Sequence, residues 1–190
     1  MICDETALKS ALNIDTVSNR QLLLHARPVM QSLCESLSQS CNLALPCASH
    51  MVVIARYESP GPFGINVPVG MKYDIPASAP GRVFMAFGRM PEFARREDEP
   101  ACLAQARQWS SVRSLVQKTA ETGFAQAENA YLPDVTDLSC PILQQGRFVA
   151  ALTVPFIRTA KSASLAWCLA GLQQAAEQLN LSLHDGARVA

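Results

Sequence analysis

Residues 136–157 read TDLSCPILQQGRFVAALTVPFI, and this stretch decides the fold. Thr136 to Leu143 is a β-leaning run, Gln144-Gln145-Gly146-Arg147 is a turn, and Phe148 to Ile157 is a second run that is almost wholly apolar. Two such runs around a short glycine-containing turn predict an antiparallel hairpin. A strand apolar on both sides belongs in the middle of a sheet covered on both faces.

Downstream of the hairpin, a helix is predicted from about Ser162 or Ser164. It carries Leu165, Cys168, Leu169, Leu172, Ala176, Leu179 and Leu183 at core spacing and ends at His184-Asp185-Gly186. Upstream, Phe124 to Ala127 predicts a short strand. Before it, Ala101 to Thr122 predicts a longer helix, with Leu103, Ala106, Val112, Leu115 and Val116 as its apolar positions and Gly123 as its stop. Pro91 opens another helical piece. Ser78 is placed to cap a helix running to about Gly88, and Pro80 costs little in a first turn whose N–H groups have no intrahelical partner.

In the N-terminal part, Leu22, Ala26, Met30, Leu33 and Leu37 recur at helical spacing from Ser18 onward. Pro28 predicts either a kink or a fresh start at Arg27. Cys41 to Pro46, Met51 to Glu58 and Phe63 to Val69 then predict a meander of three antiparallel strands. Strands in antiparallel blocks with helices grouped around them make an α+β architecture rather than a doubly wound sheet.

The chain has 190 residues, 16 Lys and Arg against 16 Asp and Glu, and 49% hydrophobic residues. The length fits one domain that folds without staples. Zero net charge provides no basic surface for phosphates, so direct nucleic-acid contact is not expected. The apolar runs Phe148 to Ile157 and Ala163 to Leu172 fall short of the ~20 residues a membrane span needs. Met1 to Ser10 carries Asp4, Glu5 and Lys9 and lacks the pattern of a secretory signal, which predicts a cytoplasmic location. The seven cysteines, at positions 3, 34, 41, 47, 102, 140 and 168, form no C-x-x-C pair, and they read as buried reduced thiols rather than zinc ligands. Nucleotide-binding, hydrolase and zinc-protease signatures are absent. His25, His50 and His184 fall on a helix, in a turn and near the C-terminus, which is no acid–base constellation. No catalytic residue, metal or cofactor is expected.

One set of words is more specific. The helix with Ala26-Arg27-Pro28-Val29-Met30-Gln31-Ser32-Leu33, the strand ending Arg56-Tyr57-Glu58-Ser59-Pro60, and Val69-Gly70 are followed by Ala77-Ser78-Ala79-Pro80-Gly81-Arg82 and Met85-Ala86-Phe87. Then come Gly123-Phe124-Ala125, Cys140-Pro141-Ile142 and Val149-Ala150-Ala151-Leu152-Thr153-Val154. In their order and spacing these resemble the effector-binding domain of IclR-type bacterial transcription regulators. The resemblance implies a GAF-like antiparallel sheet of about six strands flanked by helices, with the N- and C-terminal helices packed together, cupping a pocket for a small metabolite. It divides the chain into a connector over residues 1–18, the effector-binding domain over 19–186 and a short tail over 187–190. Family members assemble as dimers or tetramers and usually carry a separate winged helix-turn-helix, for which residues 1–18 are too short.

The resemblance also places the effector site at Ile65, Val67, Ser78, Ala79, Pro80, Gly81, Ala127, Val135, Asp137, Thr153 and Pro155. Taken singly, Ile65, Val67 and Val135 could equally fill a core, and Asp137 could be a solvated strand end. Several of these positions depart from the family pattern. A loop histidine is replaced by Pro76, a backbone amide is lost at Pro80, an acidic residue is replaced by Ala127, a Cys or Ser by Asp137, and the last Ser of a Ser-Val-Ser by Pro155. A carboxylate at 137 makes a second buried negative charge costly unless Arg82 or Arg147 compensates. The expected effector is therefore neutral, aromatic or amine-bearing. Two other readings compete: a small GAF-fold enzyme using a reactive cysteine, with Cys140 the nearest candidate, and a ligand-free oligomerisation module.

Overall fold

The computed structural model describes residues 17–47, 50–61, 64–88, 103–159 and 164–186. Helix α1 (Val17–Leu37) leads into strands β1 (Cys41–Cys47), β2 (His50–Tyr57) and β3 (Lys72–Asp74). Helices α2 (Ala79–Phe87) and α3 (Leu103–Thr122) follow, then β4 (Ala125–Glu128), the hairpin β5 (Val135–Gln144) and β6 (Arg147–Ile157), and helix α4 (Leu165–Gly186). The strands form one antiparallel sheet in the order β3-β2-β1-β6-β5-β4, which makes the apolar strand β6 central, as its composition predicts. The expected α+β class and six-stranded sheet are both present.

The hairpin turn has Gln145 at φ 52° and Gly146 at φ 72°. Two successive residues in the left-handed region match the twist of the flanking strands, and glycine takes the second at no steric cost. Period-two alternation then sorts the sheet into two faces. Leu138, Cys140, Ile142, Ala150, Leu152, Val154 and Phe156 join Leu43, Leu45, Val52 and Ile54 under α1 and α4. The two terminal helices pack on each other so closely that a Cβ on Gly171 would sit 2.9 Å from Leu37 Cδ2. The opposite face carries Ala44, Met51, Val53, Tyr73, Ala125, Ala127 and Ala151 and is covered by α2, with Phe84 and Phe148 tilted together at 5.3 Å between ring centroids.

One alternative is decided and one expectation is corrected. Helix α1 runs through Pro28 and does not start afresh at Arg27. Pro28 and Leu24 face solvent, so the carbonyl that loses its partner is on the wet side, while Leu22, Ala26, Val29, Met30 and Leu33 hold both halves to the core. The third strand is also displaced: residues 64–69 form no strand, and β3 begins at Lys72. Pro68 has no N–H to donate to a ladder. Gly70, at φ 89°, then turns the chain so that its N–H meets Val53 O at 2.8 Å and Met71 O accepts from Val53 N at 3.0 Å. The helical piece expected at Pro91 lies outside the described residues.

Candidate functional site

The face under α2 is apolar at its rim and polar at its centre. In one row across the sheet, Asn42 on β1 pairs with Thr153 on β6, which pairs with Ser139 on β5, which pairs with Ala125 on β4. Asn42, Thr153 and Ser139 have no exposed surface at all. The Ser139 and Thr153 hydroxyls are 3.0 Å apart, and Asn42 Nδ2 donates to the Tyr73 hydroxyl at 3.4 Å. Asn42 Oδ1 is buried without a partner. An unpaired buried acceptor is costly in a closed core, so an uncommitted amide end beside two hydroxyls is what a ligand-facing wall would offer.

The next row pairs Pro155 with Asp137 and Asp137 with Ala127. Asp137 is buried, and both carboxylate oxygens accept from Asn129 Nδ2 at 3.1 Å. Asn129 is itself fixed, because its Oδ1 accepts from the N–H groups of Tyr131 and Leu132 at 3.0 and 3.1 Å. Burial pushes the Asp137 carboxyl up to about 6, against the smaller opposing effect of the Asn129 hydrogen bonds. The Tyr73 hydroxyl is raised as well, by burial first and by the charge of Asp137 second.

Neither arginine considered as a counter-charge reaches Asp137. Arg82 donates through Nη1 to Gln126 O at 3.1 Å and through Nη2 to Ala77 O at 3.0 Å, leaving its buried Nε without a partner. Arg147 stands at the hairpin turn, eight residues along β6 from the partner of Asp137, a separation of ~26 Å in an extended strand.

The loop at the start of α2 is held by hydrogen bonds and close packing. Ser78 caps the helix, its Oγ accepting from Gly81 N at 3.2 Å and donating to Asp74 O. Its hydroxyl is therefore committed to the backbone. Gly81 packs so closely that a Cβ would lie 1.9 Å from Ile75 O. Ala79, Pro80 and Gly81, the first turn of α2, are buried, and Ala79 joins the same apolar cluster as Ala127.

A cleft of about 170 Å³, too narrow to admit water, opens between β1, β6 and the loop after β2. It brings together Ile65, Val67 and Pro155 from the expected set, with Asn42 at its wall. Thr153 neighbours Asn42 in the sheet, and Val135 shares the face of Asp137 two residues away. The covering loop is tied down by Arg56 to Glu58 at 3.1 Å, by Asn66 Nδ2 to Glu58 Oε1 at 3.3 Å, and by Ser59 N to Ser40 Oγ at 3.0 Å. Asn42, Tyr73, Asn129 and Ser139 were missed by the sequence reading. A polar residue inside an otherwise apolar strand, the signal that selected Thr153, also marks Asn42 and Ser139.

Cys140 lies on the other face, among the residues under α1 and α4, and burial pushes its thiol up to about 12. A buried thiol held protonated is a poor nucleophile, which runs against the cysteine-enzyme reading. Among the described residues no three His, Cys, Asp or Glu side chains converge as metal ligands, and no helix is long and apolar enough to cross a membrane.

Solved structures share this fold at low sequence identity. An IclR homolog from Microbacterium hydrocarbonoxydans, complexed with 4-hydroxybenzoate, superimposes with a TM-score of 0.74 at 19% identity, covering 98% of this chain and 75% of that one. The transcriptional regulator YaiJ gives 0.69 at 20% identity, covering 85% and 94%. The C-terminal domain of the E. coli transcriptional regulator KdgR gives 0.67 at 16% identity, covering 86% and 98%. Comparison with curated protein sequences gives no match. The family model for the bacterial transcriptional regulator IclR C-terminal domain matches residues 14–181. That match covers most of the chain and every strand of the sheet, and the chain belongs to this family of effector-binding regulator domains.

Proposed function

We propose that this domain senses a small organic effector that presents hydrogen-bond donors, neutral or amine-bearing and of aromatic-ring size, at the sheet face formed by Asn42, Asp137, Ser139 and Thr153. The observation that carries the reading is Asp137. It is a buried carboxylate that, among the described residues, is held by the neutral Asn129 with no cation within ion-pair distance, on a face where Asn42 also has an unpaired polar end. A carboxylate ligand would add a second negative charge there, whereas an ammonium, amide or hydroxyl donor would meet acceptors. The relative bound to 4-hydroxybenzoate supports a ring-sized ligand on this fold, and the changes at Pro80, Asp137 and Pro155 support a different polar end in this chain.

Access is by displacement of the loop bearing Ile65 and Val67, which closes the cleft. The remaining members of the expected set support the site from beneath, with Ser78, Ala79, Pro80 and Gly81 holding α2 over the sheet. Occupancy then acts by population shift, moving a two-state equilibrium by no more than the effector's differential affinity for the two states. In this reading the domain works in a cytoplasmic dimer or tetramer and governs DNA binding by a winged helix-turn-helix in a separate domain.

The test is a matched series of 4-hydroxybenzylamine, 4-hydroxybenzamide and 4-hydroxybenzoate, followed by calorimetry and thermal unfolding. A true ligand at ~100 times its Kd adds roughly 2.7 kcal/mol to stability. The expected order is amine, then amide, then acid, with the preference for amine lost in Asp137→Asn. Tightest binding by the acid would overturn the proposal.

A further inference from the structure

Cys34 in the last turn of α1 and Cys41 at the start of β1 are both buried, with their Sγ atoms 3.3 Å apart. Nothing in the effector reading uses them. Only the Ser38-Gln39-Ser40 turn separates helix from strand, and Ser38 at φ 52° reverses the chain so that the two thiols face each other. Each also touches a backbone carbonyl, Cys34 Sγ at 3.5 Å from Tyr57 O and Cys41 Sγ at 3.6 Å from Met30 O. Two thiols in contact behave unlike single buried ones, because whichever ionises takes a hydrogen bond from its partner.

We infer that Cys34 and Cys41 form a reversible disulfide when the domain meets hydrogen peroxide, so that the junction of α1 and β1 is an oxidation-sensitive site. Closing the bond requires the sulfurs to approach by ~1.3 Å, within reach of side-chain rotation and a small backbone shift at the turn. Cys41 lines the narrow cleft under the loop after β2, and Met30 and Tyr57, whose carbonyls the two thiols touch, line a groove of about 300 Å³ between α1 and β2, so a local opening at either surface brings a small oxidant to the pair.

The chemistry proceeds in two balanced steps. Cys34 acts first. The hydrogen bond from Cys41 lowers its pKa, with burial opposing, even though the C-terminal end of a helix disfavours an anion. Its thiolate attacks one peroxide oxygen and the O–O bond breaks. Sulfur keeps that oxygen as a sulfenic acid, and the other leaves as hydroxide, which takes up the thiol proton to form water. Cys41, whose thiol is held well up chiefly by its hydrogen bond to Cys34, loses that restraint once Cys34 carries no thiolate. Its sulfur attacks the sulfenic sulfur, the S–O bond breaks, and the departing hydroxide takes up the Cys41 proton as a second water. Two thiols are oxidised by two electrons and the peroxide is reduced to two waters. A dithiol reductant reverses the bridge.

The consequence is local. The bridge would pin the end of α1 to the residue preceding Asn42, whose side chain stands on the opposite face of β1.

The experiment is a hydrogen peroxide titration of the intact chain at neutral pH, stopped by acid and alkylation. Cleavage after Glu35 then separates the two cysteines for mass spectrometry. The expected product joins the peptide ending at Glu35 to the one containing Cys41 with the loss of two hydrogens, and dithiothreitol reverses it. The product persists in Cys47→Ser and is abolished in Cys34→Ser and Cys41→Ser. Because those two positions are buried and their variants could unfold, the wild-type and Cys47→Ser products carry the test by themselves. A bridge that runs through Cys47, oxidation that stops at a sulfinic acid on Cys34 alone, or both thiols remaining reduced while other cysteines oxidise would each overturn the inference. Thiol counting needs no effector, so its outcome is independent of the effector proposal.

Discussion

Replacing Asp137 by Asn should remove a pH dependence that belongs to a single buried group. In the folded domain burial holds the Asp137 carboxyl at about 6, against an ordinary value of 3.8. The raised value means that the folded state binds this proton more tightly than the unfolded chain does. Stability from this group is therefore greatest below about pH 4, falls as pH rises toward 6, and is flat above that. A separation of about two pH units corresponds to ~3 kcal/mol. The amide is neutral throughout, is nearly isosteric, and can still accept from Asn129 Nδ2. Every other carboxylate titrates alike in both proteins, so the difference between wild type and variant isolates position 137.

Urea unfolding at half-unit steps from pH 4 to pH 8, followed by circular dichroism, should show the variant gaining on wild type by ~3 kcal/mol across that window. In thermal unfolding the same gain is roughly 6–12 °C for a chain of this size. Parallel pH profiles for the two proteins would refute the reasoning, because they would mean that Asp137 is solvated in the folded state and that the site face is open to water.

Three other perturbations test the geometry around it. Gly81→Ala places a methyl against the Ile75 carbonyl, a backbone atom that cannot swing aside, and should cost at least ~3 kcal/mol in urea unfolding. Ser78→Ala removes the acceptor for Gly81 N and should cost ~1 kcal/mol by the same assay while leaving the sheet intact by circular dichroism. Asn129→Ala removes both hydrogen bonds to the Asp137 carboxylate, so the Asp137 pKa, followed by carboxyl-carbon NMR, should move further upward, with a stability loss at pH 7 of ~2–3 kcal/mol. An amine effector should bind more weakly as pH falls through 6, since protonation of Asp137 removes its partner, and isothermal titration at pH 5 and 7.5 would register the change.

What was legible in the sequence depended on how local each cause was. The hairpin over 136–157 was readable because its turn residues and its alternation lie in one continuous stretch, and the cap at Ser78 because cap and helix are neighbours. The third strand was misplaced because strand identity there depends on which residues meet the edge of β2. Ile65 and Val67 alternate as a strand would, yet they cover a cleft instead of pairing. A kink and a fresh start both stayed open at Pro28 because the exposure of Leu24 and the burial of Ala26 and Val29 are properties of packing. Asp137 and Thr153 were picked out, whereas Asn42, Tyr73 and Asn129 were not, because the cluster assembles from four strands and a loop. The Cys34 and Cys41 contact was hidden in the same way, since a spacing of seven residues across a helix-to-strand junction matches neither period.

The division of labour between the two faces of β6 is what favours the side under α2 for the proposed site. On the α1 and α4 side, Leu152, Val154 and Phe156 project large side chains that are buried under the two helices, and the polar rows of the sheet contribute nothing to that face. On the other side the same strand projects Ala151, Thr153 and Pro155, and its neighbours project Ala44, Asn42, Ser139, Ala125 and Ala127. Small side chains lower the floor beneath α2, and the few polar atoms standing on it face one another or have no partner. A one-residue slip in register would exchange the two sets and bury the helices against hydroxyls. The register shift at Ile142/Leu143 lies toward the hairpin-turn end of β5 and β6, away from the rows of Asp137 and Thr153, whereas the shift at Leu43/Ala44 in the β1–β2 pair follows directly after Asn42. Asp137 and Ser139 thus keep regular pairing with Pro155 and Thr153, which sets the polar groups of β5 and β6 in adjacent rows on the face proposed to meet the effector.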